Sequence, residues 1–390
     1  MAQQIMNEQN LESTNEPVRI AQVIGKLNAA GVEAVINNYY RNLDHSRFQF
    51  DYYIDADSAF APPQELKDMG ARYYVIPPYQ HLFRYMGALI RHFRAQKYQI
   101  VHVNMNTLAV FALCAAWIAG VPVRINHNHS TAGRRELLRN IMKYSLRPFA
   151  KVFATDYCAC SKVSGMWLFG KRAVKKQQVT VFHNAICLSR FQYNAHIRQS
   201  VRLELGLADS FVVGHVGRFC VQKNHEFIIE IFREVSERRP DARLLLVGVG
   251  ERMEEIRQRI AAAGLSEKVI LLGARSDVER IYQAMDVFIL PSLYEGLPVV
   301  AVEAQASGLP VICSDKMPEE TLVLPDSRQV PLSESPAKWA EIILQTETGN
   351  RDAAISCLAG GEYDMQSEAK KMQDYYEARL KTSHFSDSML

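Results

Sequence analysis

Two glutamates with seven residues between them lie in the stretch PSLYEGLPVVAVEAQASGLPV. Glu295 follows an apolar run and is expected at the end of a buried strand, and Pro298 suits the first turn of a helix. The N–H groups at such a helix start carry partial positive charge and bind phosphate. Glu303 lies further into the helix, where its carboxylate can accept hydrogen bonds from vicinal hydroxyls such as those of ribose. The spacing favours a sugar-nucleotide site. The alternative is that Glu295 is an ordinary loop residue and Glu303 an ordinary surface residue of the helix, since such a pair could have the same spacing.

A second candidate is the stretch VGRFCVQKNHEF. Arg218 follows a predicted strand, and Lys223 comes just before Asn224, which can cap the next helix. Two cations and a helix N-terminus would then act on one ligand. A diphosphate leaving group needs charge stabilisation of that kind. A pair of solvated loop cations is the alternative interpretation.

Two histidines lie at the end of another predicted strand, in RINHNHSTAGRR. Metal binding by His127 and His129 would need a further His, Cys or acid at a suitable spacing, and the sequence shows none. A hydrogen bond to a sugar hydroxyl or to a phosphate is the favoured role, with a purely structural role as the alternative. Asp55 and Asp57 form an Asp-x-Asp pair, but nothing around them supports a metal site. We therefore predict no metal ligands.

The glycines of LLLVGVGERM resemble the start of a dinucleotide-binding fingerprint. Gly248 and Gly250 fit, but Met253 replaces the third glycine, which argues against a nicotinamide cofactor. These glycines are better explained by a close approach of the chain to a base or to a neighbouring strand. Gly31 follows two alanines between the first strand and the first helix. Small residues there let a ligand approach the backbone, and a tight turn is the alternative.

The elements that must position these residues alternate between short apolar strands and longer helices. Strands are predicted at 18–25, 73–77, 99–104, 122–128, 151–156, 178–184, 211–217, 242–248, 269–273, 286–292 and 310–315. Helices are predicted at 31–43, 81–96, 107–119, 135–147, 225–238, 251–263, 276–284, 298–307 and 336–346. This alternation predicts parallel sheets with helices on both faces. The fold class is α/β, with two doubly wound, Rossmann-like domains that bind ligands beyond the carboxyl ends of their strands.

The predicted organisation has a loose N-terminal tail, 1–17, and two domains, 18–188 and 189–363. A C-terminal helix, 364–382, has an apolar face at helical spacing and is expected to pack back on the first domain. The stretch 187–207 lacks strand character and is interpreted as a linker.

Composition sets the class of protein. Of 390 residues, 48% are hydrophobic and 22% charged, as in ordinary globular proteins, and a net charge of +3 is too small to indicate nucleic-acid binding. Seven cysteines without metal or redox spacing predict reduced thiols. The polar N-terminus is unlike a secretory signal, and the longest charge-free apolar stretch, 108–123, is too short to span a bilayer. A soluble, cytoplasmic protein is expected.

Together these motifs resemble the retaining glycosyltransferases of family 4, which have the GT-B fold of two Rossmann-like domains facing across a cleft, and the resemblance covers residues 18–380. Its most specific part is the glutamate–seven residues–glutamate motif with its trailing glycine and proline. GRFCVQKNH is similar to the family's Gly-Arg…Lys segment, and ACSKVSGMWLFG is similar to segments of the bacterial capsule and exopolysaccharide branch. Departures are Ala30 in place of a glycine, Ala185 after Asn184, and Val249 between the two glycines.

The resemblance implies a role for each matching residue. Glu303 would contact the nucleotide ribose, Glu295 would face the donor sugar, and Arg218 with Lys223 would bind the diphosphate. A histidine would lie near the transferred sugar: His127, with His129 close behind in a register that stays open. The remaining donor- and acceptor-binding residues are predicted to be Gly31, Asn184, Gly248, Gly250, Gly296, Leu297, Pro298 and Val299.

The implied reaction is transfer of a hexose or N-acetylhexosamine from a nucleotide-diphospho-sugar, with uridine favoured, to a glycan or lipid-linked acceptor in cell-surface polysaccharide synthesis. Retention of anomeric configuration by same-face attack would need no dedicated nucleophile, cofactor or obligatory metal. The N-terminal half carries many cations among apolar residues, which suits contact with anionic lipid at the inner face of the membrane. They are Arg84, Arg91, Arg94, Lys97, Arg134, Arg135, Arg139, Lys143, Arg147, Lys151, Lys171, Arg172, Lys175 and Lys176.

Alternative functions on the same fold stay open. A nucleotide-sugar epimerase would need an acid pair in the cleft, and a phosphorylase would need a lysine-bound pyridoxal phosphate. A non-catalytic sugar-nucleotide-binding protein is a further alternative, which the presence of Arg218, Lys223 and Glu295 disfavours.

Overall fold

The protein forms two compact units, seen in a computed structural model that describes residues 16–27, 31–130, 137–295, 298–347 and 350–387. Unit 1 comprises Met1–His183 with Gln366–Leu390, and unit 2 comprises Asn184–Met365. The sequence predicts the division after residue 188, and the structure divides the chain after His183. The predicted tail, 1–17, falls almost wholly outside the described residues.

Unit 1 is built on a seven-stranded sheet in which every strand pairs parallel to its neighbours. Its strands are β1 (Val18–Gly25), β2 (Phe48–Asp55), β3 (Arg72–Ile76), β4 (Ile100–Val103), β5 (Val123–Asn128), β6 (Asp156–Ala159) and β7 (Val179–Val181). The order β3-β2-β1-β4-β5-β6-β7 reverses direction between β1 and β4. In doubly wound sheets ligands bind at such a switch point, beyond the carboxyl ends of the strands.

Helices connect these strands because each crossover between parallel strands must return the chain to the same end of the sheet. They are α1 (Gly31–Arg41), α2 (Gln64–Asp68), α3 (Leu82–Gln96), α4 (Ala109–Ile118), α5 (Leu137–Leu146), α6 (Lys162–Phe169) and α7 (Lys171–Lys175). The fully buried β2 was not predicted, because the buried polar residues Gln49 and Asp51 interrupt the continuous apolar run that is typical of a strand buried on both faces. Asp51 is held there by Tyr98 Oη at 2.5 Å and by an ion pair with Arg19.

Unit 2 repeats the plan with six parallel strands in the order β10-β9-β8-β11-β12-β13. Its strands are β8 (Val212–Val216), β9 (Arg243–Val247), β10 (Val269–Gly273), β11 (Val287–Leu290), β12 (Val311–Ser314) and β13 (Arg328–Val330). Its helices are α8 (Leu188–Phe191), α9 (Ala195–Glu204), α10 (His225–Arg238), α11 (Met253–Ala262), α12 (Val278–Ala284), α13 (Val299–Ala306), α14 (Pro336–Gln345) and α15 (Ala354–Leu358). The switch point lies between β8 and β11.

The last helix, α16 (Met365–Asp387), packs its apolar face on unit 1. Ala369, Met372 and Tyr376 on this face are buried, as the helical spacing predicts. The ring of Tyr376 lies against Phe48 and Phe50 on β2, with centroids 5.8 and 6.4 Å apart.

Two predictions about elements are wrong. Residues 151–155 are turn and bend, and β6 begins only at Asp156; Phe153 lies outside the sheet and packs on Trp117. Residues 187–207 contain no strand, as predicted, but they are part of unit 2 rather than a linker and contain α8 and α9. Asn194 caps α9 by accepting hydrogen bonds from the backbone of His196 and Ile197.

All seven cysteines lie in the described ranges and are free thiols. Among the described residues, no helix combines the length and the hydropathy needed to cross a membrane.

Candidate functional site

The loops at the switch point of unit 2 bring three predicted site residues to one edge of the sheet. The loop after β8 carries Arg218 and Lys223, and the loop after β11 carries Glu295. The two loops are joined by hydrogen bonds, from Leu293 N to the Gln222 carbonyl at 2.8 Å and from Asn224 Nδ2 to the Pro291 carbonyl at 3.1 Å. These side chains therefore sit on a fixed backbone frame.

Lys223 and Glu295 form an ion pair at this edge, with Lys223 Nζ 2.6 Å from Glu295 Oε1. Both side chains are largely buried, at 14% and 9% exposure. The other carboxylate oxygen of Glu295 accepts a hydrogen bond from Gln222 Nε2 at 3.1 Å. Breaking a buried pair leaves an uncompensated charge and costs much more than breaking an exposed one. The structure thus pairs Lys223 with Glu295. The resemblance assigns these two residues to different parts of the donor, Lys223 to the diphosphate and Glu295 to the sugar.

Arg218 is on the same loop but points outward. Its side chain is 73% exposed and pairs with Glu251 at 3.1 Å. An exposed pair of this kind contributes little free energy, so Arg218 can exchange Glu251 for an anionic ligand at small cost. Whether Arg218 and Lys223 act on one ligand stays a prediction.

The predicted capping of α10 by the side chain of Asn224 is wrong. Asn224 adopts a left-handed conformation, with φ of 57°, and its amide group binds the Pro291 carbonyl instead. No side chain within the described part of the chain caps this helix start, whose first-turn N–H groups follow Lys223 directly.

Glu303 lies on α13, which begins at Val299 after Pro298. Tyr282 on α12 donates its hydroxyl hydrogen to Glu303 Oε2 at 2.9 Å. Burial raises the pKa of Glu303, and the hydrogen bond from Tyr282 opposes this rise. Sequence reasoning missed Tyr282, because nothing in its helix distinguishes it from a core aromatic residue. Of the predicted residues at this helix start, Gly296 and Leu297 lie outside the described residues.

Gly248 and Gly250 lie after β9 and pack directly on the loop after β8. Gly248 has a φ of +134°, and a Cβ at either glycine would collide with the backbone of Gly217 or Phe219. The close approach of this segment to the loop after β8 therefore explains why both positions are glycine. Contact of either glycine with a donor stays a prediction. Asn184 is the first residue of unit 2, and its Oδ1 is buried with no hydrogen-bond partner among the described residues.

The switch point of unit 1 carries a cluster of three histidines, which we call the histidine cluster: His102 on β4, His127 on β5 and His129 just after β5. The rings are stacked, with centroids 5.1 Å apart for His102–His127 and 4.0 Å apart for His127–His129. Burial lowers the pKa of His102 to about 3 and of His129 to about 4, and holds the pKa of His127 well below its ordinary value. All three are neutral near pH 7.

Polar residues that sequence reasoning missed surround the histidine cluster. Asn104 Oδ1 lies 2.9 Å from His129 Nε2, and Tyr376 Oη lies 2.7 Å from His102 Nδ1. Gln22 on β1 joins both partners, at 3.0 Å from Asn104 Nδ2 and 3.1 Å from Tyr376 Oη. The three histidines line a small cavity with Gln22, Asn104 and apolar residues of α1, the helix that Gly31 begins.

The described residues contain no group of three or more His, Cys, Asp or Glu side chains placed to hold a metal ion. Asp57 pairs with Lys26, and Asp55 is buried. Burial, with a smaller contribution from Asp57, raises the pKa of Asp55 to about 6.

Comparison with known proteins agrees with this architecture. Residues 30–185 match the family model described as a glycosyl transferase 4-like domain, and residues 210–346 match the model described as glycosyl transferases group 1. A Bacillus subtilis protein named as the glycosyltransferase EpsF is 31% identical over 382 residues, which cover 94% of this chain and 98% of that protein. The Escherichia coli UDP-Gal:alpha-D-GlcNAc-diphosphoundecaprenol alpha-1,3-galactosyltransferase is 29% identical over 318 residues, covering 78% and 81% of the two chains.

Among solved structures, the Anabaena protein Alr3699/HepE in complex with UDP and glucose is similar, with a TM-score of 0.77 and 20% identity. The match covers 93% of this chain and 100% of that one. At this identity the similarity establishes the two-domain α/β fold.

Proposed function

The chain belongs to the family 4 type of glycosyltransferases, which have the GT-B fold, and we propose that it transfers a hexose or N-acetylhexosamine from a UDP-sugar, with retention of configuration. The proposed acceptor is a glycan or lipid-linked sugar in cell-surface polysaccharide synthesis. The observation that carries the proposal is the buried Lys223–Glu295 pair at the switch point of unit 2, on the loops where a donor diphosphate and its sugar are expected.

For the donor, Lys223, the exposed Arg218 and the starts of α10 and α13 supply positive charge on one edge of unit 2. Glu303, held by Tyr282, would accept hydrogen bonds from the ribose hydroxyls. Uridine is favoured because the similar Anabaena protein binds UDP.

In the proposed reaction the acceptor hydroxyl oxygen bonds to the anomeric carbon on the face from which the diphosphate leaves. The carbon–oxygen bond to the diphosphate breaks with its electron pair on the leaving oxygen, and the proton of the acceptor hydroxyl passes to the diphosphate. Lys223 stabilises the growing negative charge and can give up part of its contact with Glu295 as it does so. This route uses no nucleophilic side chain, no cofactor and no obligatory metal.

For unit 1, His127 and His129 would bind hydroxyl groups. Neutral imidazoles donate and accept hydrogen bonds without the desolvation cost of a buried charge. Which of the two meets the transferred sugar stays open.

The acceptor is proposed to be carried on a lipid diphosphate, as in the name of the Escherichia coli relative. One surface of unit 1 suits an anionic bilayer: we call it the basic–apolar segment, residues 141–152 on and after α5. It exposes Ile141, Tyr144, Phe149 and Val152 beside Lys143, Arg147 and Lys151. Apolar side chains next to cations are the combination that binds the headgroup region of anionic lipid.

Membrane contact is tested by sedimentation with vesicles. The protein should bind phosphatidylglycerol vesicles more strongly than phosphatidylcholine vesicles, and F149S/V152S should weaken binding. Leu203→Ser is the matched control, because Leu203 is an exposed apolar residue of unit 2 at 66% exposure. Equal binding of all three proteins, or none by the wild type, would contradict the surface assignment.

The reaction is tested by deleting the gene and identifying the lipid-linked intermediate that accumulates by mass spectrometry. The purified protein should then add one sugar to that intermediate, and the new linkage should keep the donor's anomeric configuration. A converted nucleotide sugar without transfer would favour an epimerase, release of sugar phosphate a phosphorylase, and binding without turnover a non-catalytic protein.

A further inference from the structure

A continuous chain of hydrogen bonds runs from the C-terminal helix to His127. Gln22 Nε2 lies 3.1 Å from Tyr376 Oη, and Tyr376 Oη lies 2.7 Å from His102 Nδ1. His102 Nε2 then lies 3.0 Å from His127 Nδ1. Every member of the chain is buried. A buried chain of this kind must place each hydrogen so that donors meet acceptors.

The donor-to-acceptor direction of these hydrogen bonds is set at Asn104. Its Nδ2 faces the backbone carbonyl of His102 at 3.5 Å, and a carbonyl can only accept. The same amino group donates to Gln22 Oε1 at 3.0 Å. Gln22 therefore turns its own amino group toward Tyr376, and Tyr376 accepts from it.

The hydroxyl hydrogen of Tyr376 must then be donated to His102 Nδ1. With Nδ1 accepting, neutral His102 carries its proton on Nε2 and donates it to His127 Nδ1. Neutral His127 in turn carries its proton on Nε2. This nitrogen is buried and has no hydrogen-bond partner within the described part of the chain.

The neighbouring histidine presents the opposite group. His129 Nε2 donates to Asn104 Oδ1 at 2.9 Å, so neutral His129 carries a lone pair on Nδ1. That nitrogen is also buried, and among the described residues none binds it. The two rings are stacked with centroids 4.0 Å apart, and both histidines line the same small cavity. Neither of the two open nitrogens bonds the other.

We propose that Tyr376 is a positioning residue which, through His102, holds His127 as the tautomer protonated on Nε2. The His127–His129 pair then offers one donor and one acceptor to a ligand hydroxyl, a group that both accepts and donates. A phosphate oxygen only accepts and would leave the lone pair of His129 unmatched. The inference deepens the proposed function, on which the identity of the ligand as a sugar rests.

Low pKa values support the argument, because tautomers matter only for neutral rings. Burial lowers the pKa of all three histidines below the neutral range. The ring of Tyr376 also packs on Phe48 and Phe50, and Tyr376→Phe keeps that packing while removing only the hydroxyl.

The test is nitrogen-15 NMR of histidine-labelled full-length protein, since protonated and unprotonated imidazole nitrogens have well-separated shifts. In the wild type His127 should be protonated on Nε2 alone. Tyr376→Phe should populate the Nδ1-protonated form of His127, because His102 has lost the donor that fixed its own proton. Tyr375→Phe is the matched control: its hydroxyl contacts Cys158 and Asp156, outside the histidine chain, and should leave the tautomers unchanged.

A wild-type His127 protonated on Nδ1, or an unchanged tautomer in Tyr376→Phe, would overturn the proposal. The catalytic consequence is measured separately: kcat should fall by about 2- to 10-fold in Tyr376→Phe, the range one neutral hydrogen bond accounts for. The KM for the nucleotide sugar should stay within about twofold, because the change is confined to unit 1. A changed tautomer with unchanged kcat would overturn the positioning role. If the wild type transfers no sugar, the proposed function fails and the NMR result still decides the tautomer.

Discussion

The switch points of the two sheets have the same backbone plan and opposite electrostatics. In unit 1 the switch point has imidazoles and amides on its strands and the loops after them, and α16 adds the phenol of Tyr376; all are buried and neutral. In unit 2 they carry the Lys223–Glu295 ion pair and the exposed Arg218. The backbone plan is thus shared, and the side chains differ: those of unit 1 can recognise a ligand by hydrogen bonds, and those of unit 2 can recognise one by charge.

Burial explains the difference. The histidine cluster is shielded from water, so a proton on any ring would carry a large desolvation cost and the rings stay neutral. Lys223 and Glu295 are also largely buried, but each neutralises the other. We therefore expect substitutions in unit 2 to act on a charged transition state, and those in unit 1 to act on hydroxyl recognition and on stability at low pH.

The largest effect is expected for Lys223→Ala. Negative charge grows on the diphosphate as the sugar–phosphate bond breaks, so the loss of one stabilising cation should lower kcat by about 10²-fold or more. The KM for the donor should change much less. Steady-state kinetics with varied UDP-sugar provides the measurement.

Two controls accompany this variant. Glu251→Gln removes only the exposed partner of Arg218 and should leave kcat within about twofold. Thermal unfolding of Lys223→Ala must show a folded protein, because Glu295 loses its buried partner. A rise in the KM for the donor with unchanged kcat would show that Lys223 binds the donor and does not stabilise the leaving group.

A smaller effect, about tenfold or more, is expected on UDP affinity in Glu303→Ala. Each charge-assisted hydrogen bond from the ribose contributes roughly 1.5–3 kcal/mol. Tyr282→Phe keeps the carboxylate and should weaken UDP binding less. The measurement is calorimetric titration of the wild type and the two variants with UDP. Unchanged UDP affinity in a folded Glu303→Ala would contradict the contact between Glu303 and the ribose.

The histidine cluster should make stability depend on pH. Above the ordinary histidine pKa of about 6.5 the folded and unfolded states are both neutral. As the pH falls below it, the unfolded chain takes up protons that the folded chain, with pKa values of about 3 and 4 at His102 and His129, cannot bind. The free energy of unfolding therefore decreases with falling pH.

His129→Gln removes the contribution of His129 to this pH dependence of the free energy of unfolding. The glutamine amide can still donate a hydrogen bond to Asn104. Between pH 6 and pH 5 the wild type should lose up to about 1.4 kcal/mol more stability than the variant, or about tenfold in the unfolding constant. Urea unfolding at the two pH values provides the measurement, and parallel losses in both proteins would show that His129 is protonated in the folded state.

The smallest effect is expected from metal removal. In the proposed reaction Lys223, Arg218 and the helix N-termini would take the place of a divalent ion at the diphosphate, so excess EDTA should leave activity unchanged. Loss of activity in EDTA that manganese or magnesium restores would assign a metal to the reaction and return attention to Asp55 and Asp57.

The sequence predicts the charged edge of unit 2 better than the neutral edge of unit 1. Glu295 and Lys223 belong to compact local motifs, and both motifs follow apolar strands, beyond whose carboxyl ends ligands bind in sheets of this kind. The contact of Tyr376 with His102 joins residues 274 positions apart and depends on where α16 docks, which no local pattern gives. Likewise β2 was missed, because its buried Asp51 is paired with Arg19 and Tyr98, which are distant in the sequence.

The most direct test of the account is to supply the purified protein with a panel of UDP-sugars and to measure binding by calorimetry and UDP release over hours. At least one UDP-sugar should bind and be slowly hydrolysed to UDP in the absence of acceptor, and Lys223→Ala should bind it and release UDP about 10²-fold more slowly. Binding of none of the panel, or equal UDP release by Lys223→Ala, would contradict the assignment of the charged edge of unit 2 to a nucleotide-diphospho-sugar.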